Sequence, residues 1–86
     1  MDKKYKKVLG RNLVKHEGKF YICFSEYASE VNEIGARIFE LSNGENTIDD
    51  MCTKLSSIYD IDTIAIKDDV NEFIDILIKN KLITTL

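Results

Sequence analysis

Residues 31–47, VNEIGARIFELSNGENT, constrain this chain more than any other stretch. They read as a short helix held between a strand and a second helix. Asn32 caps the first turn with its side-chain oxygen. Ile34, Ile38 and Leu41 recur at i, i+4 and i+7 as one apolar stripe, with Phe39 beside it. Gly35 thins the first turn so that another part of the backbone can approach. Asn43-Gly44 is the expected stop, since glycine accepts the left-handed conformation that helix ends commonly use. Thr47 and Asp50 stand three apart, the spacing of a capping box that opens the next helix.

Eighty-six residues make one domain. At this length a chain buries roughly 60–65% of its unfolded surface, which leaves it marginally stable unless a partner adds burial. Hydrophobic residues at 44% and charged residues at 31% are those of a globular chain. There is no proline to interrupt a helix. No apolar run approaches the ~18 residues of a membrane span, and the start, MDKKYKK, has the charge of a signal peptide without its apolar segment. The expected setting is the cytoplasm. Cys23 and Cys52 are too few for a disulfide framework and each sits in an apolar pattern, so they read as buried free thiols in a reducing compartment, with a redox pair as the alternative.

The net charge of −3 is unevenly spread. Residues 1–19 carry seven basic against two acidic side chains, a net +5, which leaves −8 for the remainder. The basic end reads either as a docking arm for an acidic partner or as a solvated terminus, with residues 1–7 expected to be a flexible arm. The acidic remainder argues against duplex nucleic acid, whose binding depends on phosphate neutralisation.

The first third reads as strands. Residues 8–14 are largely apolar around a Gly10 able to bend them. His16-Glu17-Gly18-Lys19 is a turn, and residues 20–24, FYICF, alternate Phe20, Ile22 and Phe24 against Tyr21 and Cys23. Leu13-Val14 should therefore pair with residues 20–24 as a hairpin. Ser25-Glu26 makes another turn, and Tyr27–Val31 is a more polar strand whose Ser29 and Glu30 suit a sheet edge. The rest is helical. Ile48, Met51, Cys52, Leu55 and Tyr59 keep helical spacing, and Asp62 caps a last helix expected to reach about Lys81. On it Ile66, Val70, Phe73 and Leu77 form a main stripe. Ile74 and Ile78 form a second one, so the apolar arc is wider than a single contact needs. Val70, Phe73 and Leu77 are assigned mainly to the core, whereas Ile74 and Ile78 divide evenly between core and groove. Leu82-Ile83 should fold back as an apolar tail.

Catalytic chemistry is sparse. His16, the only histidine, falls in a turn. The neighbouring carboxylates Asp49-Asp50 and Asp68-Asp69 diverge around a helix rather than converging on a metal. No phosphate-cradling glycine loop is present. No cofactor and no metal are expected. What remains is an exposed strand edge, Tyr27–Val31, near a wide apolar helical arc. Together these suit capture of an extended peptide by strand addition.

Residues 31–41, followed by Gly44, Thr47-Ile48, Leu55 and Tyr59, and then Asp69-Val70, Phe73-Ile74, Leu77 and Leu82-Ile83, resemble the PqqD-like proteins. These are the small D-proteins of pyrroloquinoline quinone biosynthesis and related recognition elements for ribosomally made, modified peptides (RiPPs). The similarity spans about residues 8–83. Val31 stands where leucine is usual in the signature, a conservative exchange. The resemblance implies an α+β, winged-helix-turn-helix-like fold, a three-stranded antiparallel sheet followed by three helices, over residues 1–86 as a single domain. It implies no catalysis of its own. The implied role is binding the leader segment of a precursor peptide and presenting it to a modifying enzyme. A radical-SAM maturase is the first expectation for that partner, and a leader peptidase or cyclodehydratase the next. It implies that the leader adds beside the third sheet strand and packs on the third helix. Here that means Tyr27, Ala28, Ser29, Glu30 and Val31 with Ile66, Val70, Phe73, Ile74 and Leu77. No nucleic acid and no membrane are expected as partners, and the chain should be a monomer or homodimer. The rival reading is a small winged-helix nucleic-acid-binding regulator. Against it, residues 63–81 carry three lysines and four carboxylates. A further alternative is a subunit that only stabilises an enzyme.

Overall fold

Two tight turns fold the first third of the chain into a meander. In the computed structural model, which describes residues 2–86, strand β2 (Asn12–His16) turns at Glu17-Gly18 into β3 (Lys19–Phe24). That strand turns at Ser25-Glu26 into β4 (Tyr27–Val31). Glu17 and Gly18 both take positive φ, 52° and 79°, the combination that matches a two-residue hairpin loop to strand twist. The three strands form one antiparallel sheet in the order β2-β3-β4. The register pairs Leu13 with Ile22 and Val14 with Tyr21, as the hairpin reading requires, and Phe24 with Tyr27. Regular pairing begins only at Asn12. Val8 instead donates its N–H to the Leu82 carbonyl, and the chain bends at Gly10 before β2 starts.

Three helices follow: α1 (Glu33–Leu41), α2 (Ile48–Tyr59) and α3 (Thr63–Lys79). Their starts follow the caps read from sequence. The Asn32 Oδ1 accepts from Gly35 N–H at 2.8 Å. Thr47 and Asp50 exchange both capping-box bonds, at 2.9 and 3.1 Å. Asp62 accepts from Ile64 N–H at 2.9 Å.

The helix ends differ from expectation. Helix α1 closes at Leu41 with Ser42 as its cap, and the Ser42 hydroxyl turns back to the Ile38 carbonyl at 2.8 Å. Gly44 is left-handed, φ 87°, but its N–H goes to the Tyr5 carbonyl rather than to the helix. Helix α3 stops at Lys79, two residues short of Lys81. Lys81 itself takes φ 58°, and its N–H and that of Leu82 return to the carbonyls of Ile78 and Leu77. This is a Schellman closure built without glycine.

The largest departure is at the two ends of the chain. Residues 1–7 were expected as a flexible arm, yet Tyr5–Lys7 forms strand β1. It pairs antiparallel with β5 (Ile83–Thr85), Tyr5 opposite Thr85. Tyr5 is only 6% exposed, and Leu82 and Ile83 are buried beside it. Burial of one aromatic ring and two aliphatic side chains, on the order of 5 kcal/mol of transfer free energy, outweighs fraying of so short a pair. The apolar tail thus folds back as expected, but onto the basic segment. Lys7 lies over the Phe39 ring at 5.3 Å, which seats the segment on α1.

The core lies between the sheet's inner face and the helices. Ile22, Ile38, Phe39, Met51, Leu55 and Val70 are fully buried in it. Both cysteines are free thiols; Cys52 is buried and Cys23 half-buried. Among the described residues no helix is long and apolar enough to cross a membrane.

Candidate functional site

Strand β4 forms one margin of the sheet, and among the described residues nothing pairs with its outer side. The C-terminal strand β5 leaves it open, being bound to β1 instead. Phe24 and Tyr27 flank a two-residue turn, so they form a hydrogen-bonded pair. The alternation then places Ser29 and Val31 in bonded pairs too. The backbone N–H and C=O groups of Ala28 and Glu30 are left pointing off the edge. Four unsatisfied backbone groups are thus offered to an incoming strand.

The strand is also exposed on both faces. Cross-strand partners share a face, and Ile22, which is fully buried, marks the inner one. Tyr27, Ser29 and Val31 are on that same face, yet Tyr27 is 67% exposed and Ser29 is exposed; only Val31 is half-buried. A strand facing inward without being covered leaves a groove beside it. At one end of this groove the inner-face row is Arg11, Phe24 and Tyr27. The Arg11 guanidinium lies 4.5 Å from the Phe24 ring centre, and the Phe24 and Tyr27 rings are 5.6 Å apart.

Two contacts fix how α3 is rotated. Lys67 pairs with Asp49 of α2 at 3.2 Å, so its flank faces α2. On the opposite flank, the Phe73 ring packs under the first turn of α1. A Cβ added to Gly35 would come within 3.0 Å of its Cε1. Gly35 is therefore small to admit an aromatic side chain rather than another backbone. The first turn of α1 directly continues β4, so the Phe73 flank is the one turned towards the open strand. Asp69 and Ile76, four residues before and three after Phe73, share it. At the end of α3, Arg11 Nε donates to the Lys81 carbonyl at 3.2 Å, tying helix to sheet beside Phe24. From Phe73 to Lys81 the chain rises about 12 Å, close to the roughly 13 Å spanned by β4, and the two run in opposite directions.

The ten residues singled out by sequence are thus placed unequally. Tyr27, Ala28, Ser29 and Glu30 are exposed and Val31 half-buried, all on the open strand. Phe73 is half-buried on the flank nearest to it. Ile66, Val70, Ile74 and Leu77 are buried in the core, each at most 3% exposed, and present no free surface. Ile74 therefore belongs with the core stripe. Ile78, 36% exposed, lies towards the Lys67 side. Sequence reasoning missed Ile76, 45% exposed, and Arg11. The signal for Arg11 was its place just before β2, one residue beyond the Asn12–Cys23 pair. For Ile76 there was none beyond its apolar character.

Two shallow concavities lie elsewhere. One, of about 270 Å³, is lined by Tyr5, Ile48, Asp49, Lys67 and Asn71. Another, of about 290 Å³, lies beside Cys52, Thr63 and Ile64. Neither holds a convergent set of catalytic groups. Burial raises the pKa of the Cys52 thiol, with the nearby Asp49 adding to it, which keeps it protonated and unreactive. Among the described residues no cluster of three or more His, Cys, Asp or Glu is placed to hold a metal.

Fold and site together define a small α+β domain of winged-helix type with one sheet margin left open beside a helix. The family model for coenzyme PQQ synthesis protein D (PqqD) matches residues 15–83, and the chain belongs to that family. No curated protein matches it. A solved structure with the same fold is the solution NMR structure of the PqqD truncation of Methylobacterium extorquens PqqCD, described as a functional and stand-alone RiPP recognition element. It superposes with a TM-score of 0.80 at 20% sequence identity, over 93% of this chain and 87% of that one.

Proposed function

We propose that this chain binds the leader segment of a ribosomally synthesised precursor peptide by strand addition along β4 and presents the peptide to a modifying enzyme. The observation that carries the reading is the open state of β4, unpaired on its edge and uncovered on its inward face. Membership in the PqqD family supports it, as does likeness of fold to a protein described as a recognition element.

The main chain of Ala28 and Glu30 supplies register, and side chains alternating along the leader enter the groove between Tyr27, Ser29 and Val31 on one wall and Phe73 and Ile76 on the other. Four added hydrogen bonds at about 1 kcal/mol each, with burial of two or three apolar side chains, offset the cost of ordering the peptide. A micromolar affinity, about −8 kcal/mol, is the expected result. The chain is then an accessory protein rather than an enzyme. It works by raising the local concentration of substrate at its partner. A radical-SAM maturase is the favoured partner, and a leader peptidase or cyclodehydratase the next.

The test is a titration of ¹⁵N-labelled protein with the leader of its precursor peptide, sought among the short reading frames neighbouring its gene. Saturable shifts concentrated on the Ala28 and Glu30 amides and on the Phe73–Ile76 turn are expected. Shifts confined to other surfaces, or no binding at millimolar peptide, would refute the proposal. Tight, steeply salt-dependent binding of random duplex DNA would favour the nucleic-acid rival instead.

A further inference from the structure

One cation at the groove has no anionic counterpart. Arg11 is half-buried as a residue, and its exposed guanidinium is held through Nε and Nη1 by the carbonyls of Lys81 and Leu9, both at 3.2 Å. The Phe24 ring supports its face at 4.5 Å. Two of its five N–H donors are thereby used. Its orientation is fixed before any ligand arrives. Among the described Lys and Arg side chains only Arg37 and Lys67 have carboxylate partners, Glu40 at 2.7 Å and Asp49 at 3.2 Å; Arg11 differs from the unpaired lysines in being fixed by two carbonyls and a ring. Among the described residues no carboxylate pairs with Arg11, not even Glu26 in the adjoining turn. A stacked, pre-oriented guanidinium with free donors is suited to planar, two-point recognition of a carboxylate.

We infer that Arg11 is a carboxylate-reading residue at the Tyr27 end of the β4 groove. It takes an aspartate or glutamate side chain of the bound peptide. The inference rests on the strand-addition reading and adds to it a sequence preference. An incoming strand has no intrinsic polarity requirement, because either direction satisfies the outward groups of Ala28 and Glu30. An acid held by Arg11 at one end of β4 sets the register of the strand in whichever direction it lies.

The experiment is selection of a random dodecapeptide display library against the full chain, followed by sequencing. Peptides are scored as groove-dependent when binding is lost on Ile76→Glu. Groove-dependent binders should carry Asp or Glu at one fixed position. Replacing that acid by its amide should weaken binding roughly tenfold to the native chain and leave binding to Arg11→Gln unchanged. Arg11→Gln retains N–H donors for the Lys81 carbonyl, and its thermal unfolding is measured alongside. Selection against Arg11→Glu should exchange the acid for Lys or Arg at the same position. Groove-dependent binders without a fixed acid, or with the acid insensitive to Arg11→Gln, overturn the assignment and leave strand addition standing. A selection that yields no groove-dependent binder overturns both.

Discussion

Proline placed at successive positions of β4 separates groups that face the sheet from groups that face an incoming strand. Ala28 is paired with Cys23 at a site where, by the register from the Phe24–Tyr27 turn, its N–H points outward. Ala28→Pro therefore removes no ladder bond, and proline is tolerated on an edge whose N–H faces solvent. Its cost should stay within about 1 kcal/mol, the residue arising from the narrower φ. Ser29 is opposite Ile22, which is fully buried, and its N–H points into the sheet. Ser29→Pro removes that bond, strands a carbonyl in the interior at about 1–3 kcal/mol, and drives a ring against β3. A total of about 3 kcal/mol is expected. For a domain of this size roughly 4–8 °C of melting temperature corresponds to each kcal/mol. Ala28→Pro should thus melt within several degrees of the native protein and Ser29→Pro about 12–24 °C lower, by circular dichroism. Ala28→Pro should in addition bind leader at least tenfold more weakly, despite its near-native stability. Equal destabilisation by the two, or the reverse order, would mean that the outward groups are not those of Ala28 and Glu30, and the groove would be misassigned.

Three other outcomes are expected. Ile74→Ala should destabilise by about 2–4 kcal/mol as a core truncation, whereas Ile76→Ala should cost well under 1 kcal/mol yet weaken leader binding; urea melts and peptide titrations separate the two. Tyr5→Ala should lower stability by about 3 kcal/mol and abolish slow amide exchange in both β1 and β5, which a frayed arm would not do. The Asp50 carboxyl is held below its ordinary pKa by the Thr47 N–H and hydroxyl and by Lys54. Its capping contribution is present in full above the ordinary carboxylate pKa and is lost as pH falls through the lowered folded value. The stability difference between native protein and Asp50→Asn should therefore shrink in acid and be constant from pH 5 upward.

The parts of this fold that were legible from sequence are those whose causes are local. Asn32, Thr47 and Asp62 begin helices because each offers an oxygen to an N–H two or three residues away, an interaction independent of anything distant. The two hairpin turns and the assignment of Tyr27–Val31 to an edge were readable for the same reason. Helix ends were less so. Gly44 looked like the stop for α1, but its left-handed conformation serves a contact with Tyr5. Lys81 accepted the same conformation without being glycine, because Leu82 and Ile83 beyond it are pulled into the core.

The sequence alone therefore determined the order of the three meander strands and three helices, the N-terminal caps of those helices, the edge strand and, through its signature, the family to which the chain belongs. Tertiary structure decided two matters that periodicity leaves open. One is the pairing of three-residue segments at opposite ends of the chain, too short to show any pattern and dependent on burying Tyr5 against Ile83. The other is the rotation of α3. A wide apolar arc fits the core in more than one orientation, and only the Phe73 ring under Gly35 and the Lys67–Asp49 pair select the one that buries Ile74 and turns Ile76 towards the groove.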